Sequence, residues 1–80
     1  MEDLYWVAYR GEGCGGRAQQ YARSPLDAAV KFLAYGKECD KWPVSARLDS
    51  PRTDDGGDTV WPVVNRLGRD FGYICPKVVR

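Results

Sequence analysis

The stretch SPLDAAVKFLAYG, residues 24–36, constrains the fold more than any other part of the chain. Ser24 offers a hydroxyl that can accept from a free backbone N–H of a first helical turn. Pro25 falls at the first helical position, where its missing N–H removes nothing. Asp27 places a negative charge in that first turn, where the helix dipole favours it. Gly36 is suited to the left-handed conformation that ends a helix. The pattern therefore predicts one helix over residues 24–36. Leu26, Ala29, Val30 and Leu33 fall at i, i+3, i+4 and i+7 and make its apolar stripe, which Phe32 widens. Lys31 and Tyr35 point elsewhere.

Around this helix the chain reads as strands and turns. Residues 4–10 (LYWVAYR) are aromatic and branched, and predict an inner strand. Residues 11–16 (GEGCGG) predict a turn. Residues 17–23 have fair helix propensity, but Ser24 opens a new element and the glycine-rich turn suits a hairpin, so they are read as a strand. After a polar connector at 36–41 comes a short internal repeat. Trp42, Pro43, Val44, Arg47 and Leu48 match Trp61, Pro62, Val63, Arg66 and Leu67 in order and spacing. A residue before proline is pushed towards extended backbone. Pro43 and Pro62 cannot donate to a ladder, so they belong at strand starts or sheet edges. Residues 50–58 between the repeats predict a polar, exposed, mobile loop, and the pair together a long-looped hairpin. A turn at 68–70 leads to a last strand over 71–75, which Pro76 ends or kinks. The fold class is α+β: an antiparallel sheet of about five strands with one helix packed on a face, in the order strand, strand, helix, strand, strand, strand.

Eighty residues make one domain, residues 1–80. A chain this short buries only about 60% of its unfolded surface, so self-association is an expected source of stability and a homodimer an expected state. Met1, Glu2 and Asp3 begin the chain without the charge or apolar run of a signal peptide, and no stretch predicts a membrane span. The expected location is the cytoplasm, with reduced thiols. The formal net charge of +1 lacks both the basic footprint of a nucleic-acid binder and the acidity of a DNA mimic.

The residues for catalysis are sparse. The chain has no histidine and no C-x-x-C, so neither a Cys–His pair nor a zinc knuckle is available. Gly11, Gly13 and Gly16 satisfy G-x-G-x-x-G, but the following segment is read as a strand, which favours a hairpin turn over a dinucleotide site. Cys14 is read as exposed and inert, Cys39 as surface and Cys75 as core. Asp54, Asp55 and Asp58 miss the alternation of a calcium loop and read as a solvated acidic loop. No metal and no cofactor is expected. Arg10 and Arg17 flank the first turn and can stand side by side, with Tyr9, Tyr21 and Arg23 near in sequence. Arginine and aromatics together suit base stacking and protein hot spots alike. Trp6 is expected in the core, Trp42 and Trp61 at exposed strand margins.

The layout of a small hairpin, a helix opened by ARSPLDAA and then antiparallel strands resembles the anti-CRISPR proteins that phages carry against type I surveillance complexes. The resemblance implies a short α+β domain without catalytic machinery, acting in the host bacterial cytoplasm. It implies a protein or ribonucleoprotein partner whose surface is occupied so that target DNA is blocked. Arg10, Arg17, Arg23, Trp61, Arg66 and Arg69 are the expected contact residues. A nucleic-acid-binding or antitoxin-like regulatory module is the alternative. A small enzyme using Cys14 or carboxylates is a third reading.

Overall fold

The computed structural model describes residues 1–11 and 14–79, with the backbone alone of Cys14. The expectations for Gly13 in the glycine pattern and for exposure of Cys14 lie outside the described residues. The chain runs β1 (Asp3–Gly11), β2 (Cys14–Ala22), α1 (Pro25–Glu38), β3 (Arg47–Leu48), β4 (Arg52–Thr53), β5 (Thr59–Val64) and β6 (Asp70–Val78). All pairings are antiparallel, in the order β2-β1-β6-β5-β3, with β4 also on β5. This is the α+β sheet with one helix, but of the strand expected over the first repeat only Arg47–Leu48 forms, and β4 falls within residues 50–58, expected as a loop. β1 extends to Gly11 and β2 already starts at Cys14, so both strands reach into the segment 11–16 expected as a turn.

Helix α1 starts as its residues dictate. Asp27 N donates to Ser24 Oγ at 3.1 Å, and Arg23 N donates to Asp27 Oδ2 at 2.9 Å. Its end is different. Gly36 is buried inside the helix, which continues to Glu38. The left-handed residue is Asp40, with φ 57°. Lys41 N donates to Gly36 O at 2.8 Å and Asp40 N to Lys37 O at 3.3 Å, a Schellman termination built on an aspartate. Gly36 serves packing instead. A Cβ there would stand 2.4 Å from Trp42 Cε3, so the indole lies directly against the helix backbone.

The buried face of the helix also differs from the expected stripe. The buried positions are Ala28, Ala29, Phe32, Leu33 and Gly36, while Leu26 and Val30 are half exposed. The expected stripe is rotated towards Phe32, which touches the rings of both Tyr9 and Trp42 at centroid distances of 4.8 and 5.7 Å. The core joins these residues to Tyr5 and Val7 of β1, Trp61 and Val63 of β5 and Ile74 of β6. Each large apolar side chain buried there contributes about 1.5–3 kcal/mol. The indole N–H of Trp42 is buried with no acceptor among the described residues.

Two prolines sit inside central strands, against expectation. Pro62 lies in β5 between β6 and β3, and is buried. Asp49 N donates to Pro62 O at 2.9 Å, so the proline nitrogen faces β3 rather than β6. The ladder breaks beside it. Leu48 pairs with Val63 and Arg52 with Val60, which leaves Ser50 and Pro51 together opposite Trp61, a bulge between β3 and β4. Pro76 does not end β6, which runs on to Val78. Val79 N donates to Leu4 O at 2.9 Å, so the odd residues of β6 bond β1 and Pro76 nitrogen faces away from it. On the other side the β5 pairing has ended at Trp61 and Ile74.

The two flanks of the sheet are therefore unlike. One is made of two-residue strands with a bulge and Pro51. The other is β2, nine residues without proline or break.

Candidate binding surface

Strand parity sets which side chains meet the helix. In β1, Tyr5 and Val7 point to α1, so Trp6, Ala8 and Arg10 point to the opposite, helix-free face. Register carries that face across the sheet. Trp6 stands between Gln19 and Lys77, Ala8 between Arg17 and Cys75, and Arg10 between Gly15 and Tyr73. Tyr73 in turn pairs with Pro62. Arg52 reaches the same face opposite Val60. The aromatic groups are open to solvent: Trp6 is 44% exposed, Tyr73 38% and Tyr21 60%.

This reverses the expectation for tryptophan. Trp42 and Trp61 are 2% and 7% exposed and belong to the core, whereas Trp6 lies outside it. Trp61 pairs with Ile74 on the helix side, and Trp42 is drawn in by the bare backbone at Gly36. Trp61 therefore drops out as a surface contact.

The expected arginines divide into groups. Arg10 and Arg17 do share the open face, and neither has an ion-pair partner among the described residues. Arg66 and Arg69 stand in the β5–β6 turn, at the end of the sheet where β1 finishes beyond Arg10. That turn is held by Asn65, whose Oδ1 accepts from Leu67 N at 2.9 Å and Arg69 N at 3.1 Å, and it closes through Gly68 at φ 81°. Arg23 lies at the opposite end, past the Asp3–Ala22 pair. The set is not one cluster. Trp6, Tyr73, Arg52 and Lys77 were missed, and the alternation YWVAYR held the signal, since Arg10 must share a face with Trp6.

Acidic groups interrupt the positive charge. Asp70 pairs with Arg52, and Asp58 Oδ2 lies 3.2 Å from Lys77 Nζ. The acidic turn is ordered by Asp54, whose Oδ1 accepts from Gly56 N and Asp58 N, each at 2.9 Å. It brings the Asp54 and Asp58 carboxylates and the Cys75 thiol within 4.8 Å of one another; Asp55 is not in that group. Burial, then the charges of Asp58 and Asp54, push the Cys75 thiol up, so at neutral pH it stays protonated and is a poor nucleophile. Cys75 is buried and Cys39 exposed, as their sequence positions predict.

On the opposite side of the sheet, Lys31 spans from the helix to Glu2 Oε2 at 2.6 Å and Asp27 Oδ2 at 3.4 Å. The hydrogen bond to Glu2, partly offset by desolvation, raises its pKa. No helix among the described residues is long and apolar enough to cross a membrane. No protein-family model matches the chain, and no curated protein or solved structure was found to be similar to it.

Proposed function

We propose that this chain is a non-enzymatic binding protein that acts by covering a partner's surface with its helix-free sheet face. The observation that carries the reading is Trp6, Tyr73 and Tyr21 exposed on one face among Arg10, Arg17 and Arg52. Tryptophan, tyrosine and arginine dominate the energy of protein interfaces. The interleaved Asp54, Asp58 and Asp70 make the face a mosaic of both signs, which suits a protein surface better than a bare phosphate backbone. From the layout resemblance, the partner is a type I CRISPR–Cas surveillance complex in the bacterial cytoplasm, kept from its target DNA by steric occlusion.

Purified type I surveillance complexes should retain the protein in a pull-down, and Trp6→Ala or Arg17→Ala should weaken retention about thirtyfold or more, the effect of a true hot spot. Failure of every type I complex to retain it would remove this partner. Unchanged binding by both variants would remove this face.

A second reading is supported by the same face: an aromatic beside an arginine that has no ion-pair partner among the described residues, as Arg10 and Arg17 have none, is a stacking platform for single-stranded nucleic acid. Binding to DNA or RNA that falls steeply between low and moderate salt would favour it over the first.

A further inference from the structure

We propose that two copies of the chain pair through their β2 edges, antiparallel about a two-fold axis at Ala18, to form one continuous sheet. This does not rest on the partner proposed above.

The free hydrogen-bonding groups of that edge can be assigned. Leu4 O accepts from Val79 N, so the polar groups of Leu4 face β6, and those of its opposite number Tyr21 face away from β1. Tyr21 O accordingly accepts from Lys31 Nζ at 3.3 Å and from Gln20 Nε2 at 3.0 Å rather than from β1. By strand parity, the N–H and C=O groups of Gly15, Arg17 and Gln19 also point outwards. They have no backbone partner among the described residues. Such an edge is a template for another strand. The opposite flank, with its two-residue strands, bulge and Pro51, is not.

The occupant is a second copy because the edge is complementary to itself. Pairing over its full length sets Cys14 against the partner subunit's Ala22 and puts Ala18 on the axis. Arg17 then stands opposite the partner subunit's Gln19, with no like charges facing. Tyr21 covers the partner subunit's Gly15, an aromatic over a glycine, which is a favourable cross-strand neighbour. The register that instead sets Arg17 against the partner subunit's Arg17 brings like charges together, which is destabilising. On the helix side Ala18 meets its own copy and Gln20 stands over the partner subunit's Gly16, while Lys31 reaches Tyr21 O from that side. A single strand pair buries less than a standard interface of about 1,600 Å², the size class of weak, transient contacts, so the dimer is expected to dissociate on dilution.

Sedimentation velocity on the full chain from about 1 to 100 µM should show a monomer passing to a dimer across that range. Three substitutions at one position test the register. Gln19→Glu faces the partner subunit's Arg17 twice across the axis and should tighten the dimer about threefold to thirtyfold. Gln19→Arg should weaken it by a similar factor. Gln19→Pro removes an outward N–H without touching the β1 ladder, and should leave a monomer with an unchanged far-UV spectrum. A chain that stays monomeric throughout overturns the proposal. So does a dimer whose affinity moves in the same direction, or not at all, with the Glu and Arg substitutions.

Discussion

Gly36 and Trp42 fit together only because one of them lacks a side chain. A methyl group at Gly36 would lie 2.4 Å from Trp42 Cε3 and 2.6 Å from Cζ3, well inside contact distance. The indole cannot retreat easily, since it is also packed edge-on against Phe32 and Tyr9. Gly36→Ala improves helix propensity by about 1 kcal/mol, yet it forces a core ring out of place, which costs typically 1–3 kcal/mol. The variant should be the less stable one in urea titration, and a rise in stability would show that the ring is not held there. Trp42 illustrates what sequence reading at this scale can miss. Proline at the next position signals extended backbone, but nothing local announces that a glycine six residues earlier has left a flat seat for the ring. Trp6 was misplaced for another reason. Its segment is apolar at nearly every position, so hydrophobicity conceals the alternation that Arg10 discloses.

The helix start shows how an element can be read almost completely from its residues. Ser24, Pro25 and Asp27 perform the roles their positions imply. Accepting the Arg23 backbone N–H is the main cause of a lowered Asp27 pKa, against some desolvation and with help from Lys31. A carboxylate depressed in the folded state stabilises above its unfolded value, and that contribution is lost as pH falls through the folded value. Wild type should therefore exceed Asp27→Asn in stability at neutral pH. The difference should shrink once pH drops below the ordinary value of 3.8, as thermal melts across an acid series would record. A gap that stays constant with pH would mean that the charge is not the cause. The helix end was legible only in part. Gly36 looks like a terminator in sequence, but the termination falls on Asp40, a residue type that tolerates the left-handed region. The strands after the helix were harder still. Pro43 and Pro62 occupy matching places in a repeat, yet Pro43 lies in a turn and Pro62 in a central strand. What separates them is the direction of the nitrogen relative to neighbouring strands, which is a property of the assembled sheet.

At the scale of the whole molecule, a single cluster holds together helix, sheet and the Trp42 segment. Trp42 and Trp61 report on that cluster, whereas far-UV circular dichroism reports on the backbone. Urea transitions followed by tryptophan fluorescence and by circular dichroism should coincide, as small single domains generally show. Separated midpoints would reveal two units where one is described. The class of fold was readable from one well-marked helix among β-rich segments. The candidate face was readable only as Arg10 with Arg17, because Trp6 is concealed in its apolar run and the rest is assembled by register from β4 and β6, distant in sequence. The unlike flanks of the sheet have a further consequence for the size of any assembly. A sheet with two good sides can add neighbours without end, and grows into fibres. Here a broken, proline-bearing side faces outwards from both members of a pair, so association that uses the intact side exhausts it and stops at two.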